Sequence, residues 1–440
     1  MVQWKQHKGL RGKPLLPSAG PFFYVFDSAP NLLTVGKRMG LSGILDIVQK
    51  SPTYRRALAT LASAPNGAGS LDITVPDAAR SYFIACLCRD LYRPVLLITA
   101  KPEDADRLSD NLATIFGQED EADGGDAFSI LRLPESESLP YERLAENTQI
   151  SHRRLNILSA LLQRQQKNPA ESVHKQCSEP DRQNHLGQGI ALVGSVAALS
   201  QRVLSPNEFE DATHVLEIGQ PIQTGPLLTK WAAMGYMLEA TVEVPGTASR
   251  RGGILDIFPP SESQPFRIEL FGPIIEDIRP FDPLTQRSSP TVQRVTITPA
   301  LDRRGITGLD GAQIAKRSGL DALLNQLGSV QQTTESLQRM RVDLERLRNG
   351  EVIDEASFYA GFLCDGSITN YLPSNSVVVV VEPDRVAQEA IELETQAENL
   401  RIAKVARNEL PENFPSPYWP WNQVEKHFNK HVARLDINWL

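Results

Sequence analysis

Residues 376–381, SVVVVV, set the tightest limit on how this chain can fold. A strand alternates its side chains between two faces, so an unbroken apolar run needs both faces buried. Residues 94–99 (PVLLIT) and 189–193 with Ser195 have the same texture, and 71–75 supply a further short strand. Stretches with helical spacing follow the early strands, and residues 384–403 carry that spacing after the valines. Fully apolar strands alternating with helices predict an α/β domain whose parallel sheet is covered on both sides.

At ~150 residues per domain, a chain of 440 residues holds two to four domains. Between 213 and 299 the texture changes to an antiparallel meander. Residues 254–258 read as a strand, PPSESQP as a turn, 266–271 as a second strand, Gly272-Pro273 as another turn and 274–278 as a third strand. After 300 helices return, with Leu337, Met340, Leu344 and Leu347 at three-and-four spacing. The order describes a small domain inserted into a larger one. Residues 1–38 mix Lys5, Lys8, Arg11 and Lys13 with Pro14, Pro17, Pro21 and Pro30, and read as an extension outside the fold. From Met39, read as the natural start, two short helices broken at Ser51-Pro52 are expected, and the polar stretch 164–188 reads as a surface loop.

Composition excludes several classes. A net charge of −8 is wrong for a general nucleic-acid coat, although a local basic patch stays open. No apolar stretch approaches the ~18 residues of a membrane-spanning helix. Cys86, Cys88, Cys177 and Cys364 form neither a CxxC pair nor an even framework, as expected of reduced thiols in a cytoplasmic protein. The α/β pattern invites a nucleotide, but no GxxxxGK[ST] phosphate loop is present. Glu382 after the valine run superficially resembles a magnesium-holding acid, and is read as an acid favoured by a helix start. His427 and His431 stand at i, i+4 without the glutamate of a zinc protease, and read as surface histidines near a frayed end. The expectation is a chain with no catalytic residue, metal site or cofactor of its own.

The most informative segment is RRGGILDIFPPSESQPFRIELFGPIIEDIRPFD, residues 250–282. Alternation puts Phe266, Ile268 and Leu270 on a core face and Arg267, Glu269 and Phe271 on the outer one. An aromatic beside an arginine on an outer face suits an interface hot spot. Antiparallel pairing with 254–258 sets Gly253 opposite Phe271 and Arg251 near it, with Arg267 ~13 Å further along. Gly252-Gly253 reads as a bulge. A solvated face with one stray aromatic, or Phe271 packed under the domain's helices, remains the alternative. On the interface reading Arg267→Ala leaves folding within about 0.5 kcal/mol.

The stretch ASRRGGILDIFPPSESQPFRIELFGPIIEDIRPFDPLTQRS strongly resembles the UvrB-homology module of bacterial transcription-repair coupling factors. So do LPESESLPYERLAENTQISHRRLNILSALL, VGSVAALSQRV and LPSNSVVVVVEPDRV, and NELPENFPSPYWPWNQVE resembles the segment leading out of that module. The likeness runs from Met39 to the C-terminus. It implies a degenerate, non-hydrolysing helicase-like (RecA-like) domain in two pieces, 39–212 and 300–410. Between them lies an inserted UvrB-type α+β domain, 213–299, that recruits UvrA, and 411–440 is a linker. Carried over by motif, the UvrA-contacting residues are Arg251, Arg267 and Phe271. In the family a polymerase-binding domain, an ATP- and Mg-dependent DNA translocase and a regulatory domain follow. This chain is therefore expected to be a fragment or truncated reading frame that meets RNA polymerase and DNA only through those domains. UvrB itself carries a phosphate loop and a tyrosine-rich hairpin, whereas here Tyr141 stands alone in LPYERL. Two other readings remain: an ATPase or helicase fragment, and a direct binder of damaged DNA, the latter opposed by the acidity of the chain.

Overall fold

The structure is a computed structural model. It describes residues 42–438 apart from 64–69, 92, 124–127, 137–138, 145–146, 168–188, 302–318, 330–333, 350, 352, 354 and 432. The extension 1–38, the start at Met39 and most of the 164–188 loop lie outside the described residues; 164–167 close the helix Thr148–Lys167. Helices Ser42–Lys50 and Pro52–Ser63 break at Ser51, where Pro52 opens the second one.

Strands β1 (Ser70–Thr74), β2 (Val95–Thr99), β3 (Ser129–Arg132) and β4 (Ile190–Ser195) come first. The insert contributes β5 (His214–Glu217), β6 (Met237–Leu238), β7 (Thr247–Arg251), β8 (Ile254–Ile257), β9 (Phe266–Phe271), β10 (Ile274–Pro280) and β11 (Arg294–Ile297). The chain then returns with β12 (Val377–Val381) and β13 (Ala433–Asn438). A six-stranded sheet forms in the order β1-β13-β12-β2-β4-β3, every pair parallel.

Its two faces explain the valine run. Val377, Val379 and Val381 enter a cluster with Val95, Leu97, Val193 and Leu435, while Val378 and Val380 enter another with Leu96, Ile98 and Leu192. The helix Asp77–Asp90 is itself buried along Phe83–Cys88, lying between the sheet and the first two helices. Cys86 and Cys88 therefore both reach the core although they point to different sides, and burial pushes the Cys88 thiol up to about 12.

The linker expected over 411–440 is instead part of the sheet domain. Trp419 donates its backbone N–H to Ser200 O at 2.7 Å, and the Arg202 guanidinium lies 3.7 Å from the Trp419 ring centre. A Cβ at Gly361 would come 2.7 Å from Pro415 O, so only glycine lets this segment dock so closely. The helix Trp421–His431 buries Val424 and Phe428, leaving His427 exposed, and β13 then slots between β1 and β12. The short strand ARLDIN alternates, burying Ala433, Leu435 and Ile437 on one face while Arg434 and Asp436 on the other pair at 2.8 Å.

The insert enters and leaves through one antiparallel ribbon, β5 with β11, which pairs His214 with Ile297 and Glu217 with Arg294. Above it stands a five-stranded sheet in the order β10-β9-β8-β7-β6. Leu255, Ile257, Ile268, Ile275 and Ile278 from its inner face pack with Trp231 of the helix Thr224–Ala233. The Trp231 indole N–H donates to His214 Nε2 at 3.1 Å, which requires a neutral imidazole. Burial, helped by Lys230, holds the His214 pKa down at about 4.

His214 gives the insert a defined acid response. The unfolded chain takes up a proton near the ordinary value of ~6.5, whereas the folded one resists until about 4, so stability falls as pH drops through that window. The expected loss is up to roughly 3 kcal/mol. Urea midpoints measured from pH 7 to 4 should fall less steeply in His214→Gln, and equal slopes would show that His214 is not the responsible group.

Candidate interaction face of the inserted domain

The segment singled out in the sequence forms three hairpin strands whose registers array their outer side chains in rows. Gly252 has φ +61, and Arg251 pairs directly with Ile254, so Gly252-Gly253 is a two-residue hairpin turn rather than a bulge. Arg251 consequently lies on β7, not on an extension of β8. One row reads Ser249, Asp256, Arg267, Arg279 across β7-β8-β9-β10. The next reads Arg251, Ile254, Glu269, Asp277, with a bulge between Ile275 and Asp277 setting the last position. The third pairs Phe271 with Ile274 beside Gly272. Rows two residues apart on one face are separated by ~7 Å.

Alternation assigns the faces correctly. Ile268 is fully buried, Leu270 packs at the edge of the inner core, and Phe271 is 76% exposed. Ile274 next to it is 45% exposed, so the hairpin tip offers a small apolar knob. The expected cross-strand register is off by one: Leu270 N–H bonds to Gly253 O at 2.8 Å, so Gly253 faces Leu270 and not Phe271.

Sequence reasoning missed the group that organises this face, Asp256. It is 1% exposed on the central strand and sits directly across from Arg267 and diagonally from Arg251. Arg267 donates Nε to Asp256 Oδ1 at 2.8 Å and Nη2 to Oδ2 at 2.9 Å, a bidentate pair. Arg251 adds a bond from Nη2 to Oδ2 at 2.6 Å. The two arginines are therefore not separated along the strand; they share one carboxylate. Arg267 is held further by Gln286 Oε1 at 3.3 Å and by the Phe281 ring, whose centre lies 4.6 Å from its guanidinium carbon. Its hydrogen bond to Asp256 raises its pKa above the ordinary arginine value, so it stays charged. At 16% exposure Arg267 is largely committed inside the domain, whereas Arg251 is 51% exposed. The FRIEL alternation could have suggested a partner for Arg267, because an acid directly opposite an arginine is a favourable cross-strand pair.

The other place to look for chemistry is the C-terminal edge of the parallel sheet, where α/β folds usually bind ligands. A cleft of about 400 Å³ lies there, lined among others by Arg80, Thr99, Asp104, Arg107 and Glu382. Its charges pair with one another: Arg80 with Asp77 at 2.8 Å and Glu382 at 3.0 Å, Arg107 with Asp104 at 2.7 Å. Arg385 reaches Glu382 and, at 3.1 Å, Asp104. Glu382 is a buried non-glycine residue at φ +59, a strained conformation that the ion pairs hold in place. Tyr141 is packed inside, 4% exposed, its ring 6.4 Å from that of Phe414. Among the described residues no cluster of acids, histidines and cysteines could hold a metal, and no helix is long and apolar enough to cross a membrane.

Residues 215–302 match the family model of the UvrB interaction domain. The chain is 27% identical to the transcription-repair-coupling factor of Bacillus subtilis (strain 168) over 314 residues, covering 70% of this chain and 24% of the relative. It is 29% identical to the transcription-repair-coupling factor of Myxococcus xanthus over 345 residues, 76% of this chain and 26% of the relative. With the UvrABC system protein B of Thermosipho africanus (strain TCF52B) it shares 30% identity over 172 residues, 39% of this chain and 26% of the relative. The chain thus has a segment that matches the UvrB interaction domain and is similar to both kinds of protein, spanning about a quarter of their length.

The bonding of Asp256 reverses the expectation for Arg267. Removing Arg267 leaves a buried carboxylate with Arg251 as its remaining charged partner. A broken buried pair costs about 3–5 kcal/mol, and the surviving partner brings the expected loss to roughly 1–3 kcal/mol. Phe271→Ala should change stability by less than about 0.5 kcal/mol. Urea unfolding of both variants checks the contrast, and a wild-type midpoint for Arg267→Ala would refute it.

Proposed function

We propose that this chain is a docking module in which the outer sheet face of the insert recruits UvrA. The observation that carries the reading is Phe271, a 76% exposed aromatic at the hairpin tip, on the same sheet face as half-exposed Arg251 two strands away. Together with Ile274, Phe271 forms an exposed apolar tip, and aromatic and arginine side chains are enriched among the anchors of interfaces. Similarity to the UvrB interaction domain over 215–302 supports UvrA as that partner. In this role the module would link stalled RNA polymerase to nucleotide excision repair, with polymerase, DNA, ATP and Mg engaged by other parts of a longer protein. Within the chain itself we assign no catalysis. The cations of the sheet-edge cleft are already neutralised by Asp77, Asp104 and Glu382, which leaves them poorly placed to take a triphosphate. Direct stacking on damaged bases is disfavoured by the burial of Tyr141.

Titration of the full chain with purified UvrA tests the assignment. Wild type should bind, and Phe271→Ala should weaken binding by about thirtyfold or more, the effect of losing ~2 kcal/mol, without a change in melting. Failure of the wild type to bind, or equal binding by Phe271→Ala, would refute the docking role. Millimolar Mg-ATP should leave the melting temperature unchanged, and a reproducible rise would favour the ATPase reading instead.

A further inference from the structure

Asp256 has no role in the docking reading as it stands, yet its position calls for one. It lies on the central strand of the hairpin face, is 1% exposed, and accepts three hydrogen bonds from two arginines. Stability alone is a weak reason for an acid there, because desolvating a carboxylate offsets most of what even a well-made buried pair gains. Ile254, two residues earlier on the same face, shows that apolar side chains are accommodated. What the carboxylate adds is geometry. An arginine on a strand surface samples many rotamers and loses that freedom when a partner captures it. Asp256 removes much of the freedom beforehand. It fixes the Arg267 guanidinium edge-on, with the Phe281 ring against it, and ties one nitrogen of Arg251 while half of that side chain still faces solvent. Arg251 lies one row and two strands from Phe271, so its free edge and the apolar knob face the same way, about 7 Å apart along the strands and about 10 Å across them.

We propose that Asp256 is the positioning residue of this face: its carboxylate pre-orders Arg251, with Arg267 as a fixed charged wall behind it, to receive an acidic group of UvrA beside the site that takes Phe271. The inference rests on the docking role proposed above and adds a residue to it. A guanidinium so oriented offers directional, charge-assisted bonds to a carboxylate, which a freely rotating one makes only after ordering.

A double-mutant cycle on the full chain tests the role. Asp256→Asn keeps the size but loses the charge and one acceptor oxygen, and should weaken UvrA binding on the order of tenfold. In an Arg251→Ala background the same substitution should change affinity by less than about twofold, because the group it orients is gone. Wild-type affinity for Asp256→Asn, or full additivity of the two substitutions, overturns the proposal. Asp256→Glu guards against misfolding of the first variant. It keeps the charge but moves the carboxylate by a methylene, so weakened binding with native melting is expected, and wild-type binding overturns the positioning role. Should both variants unfold the insert, Asp256 is purely structural and the proposal is wrong. Absence of binding by the wild type would instead overturn the docking role, and the positioning role with it.

Discussion

Two-sided burial of the parallel sheet is the constraint from which the rest of this structure follows. β12 sits in the middle of six strands and shares each face with a separate apolar cluster, so neither face can be left open. Helices must cover both sides, which is why the segments Asp77–Asp90 and Pro383–Ala406 stand where they do and why even the cysteines at i, i+2 end up buried. The same demand draws in the end of the chain. β1 has no direct bond to β12; β13 fills the gap between them, contributing Leu435 and Ile437 to one core.

The insert obeys a different rule. Trp231 and the residues around it bury the inner face of its five-stranded sheet, while the outer face is covered at the row Ser249, Asp256 and Arg267, where Phe281 and Gln286 reach over Arg267, and open towards Phe271. Both chain crossings run through the β5–β11 ribbon, so the insert stands on a narrow base that orders its entry and exit together. On the outer face the charges are organised rather than scattered. Asp256 gathers Arg251 and Arg267, Arg279 pairs with Asp277, and Gln286 in the following loop reaches back to Arg267. Against this satisfied polar background Phe271 and Ile274 stand out as apolar groups with nothing over them.

A similar contrast separates the two candidate sites. At the sheet edge every charged group that a ligand would need has a protein partner, and the strained Glu382 is held by two arginines. On the insert, half-exposed Arg251 keeps part of its bonding capacity for solvent. Charge that is internally matched rigidifies a fold; charge that is oriented but incompletely matched can serve recognition.

The sequence by itself determined the class of fold, the presence of an insert and the face on which Phe271 and Arg267 lie. Those features depend on local periodicity, which survives in a linear string: five valines require two buried faces, and FRIELF assigns its own alternation. Tertiary structure alone decided what pairs with what. β3 and β13 depart from the continuous apolar texture of β2, β4 and β12, β3 ending at Arg132 and β13 alternating through Arg434 and Asp436, and their places in the sheet come from neighbours far away in the chain. The Gly252-Gly253 turn moved Arg251 to another strand, and a register one residue away from the expected one brought both arginines onto Asp256. Register between strands is settled by the turn and by the packing of a whole face, not by either strand alone, so the carboxylate that organises the site could be seen only once the strands were in place.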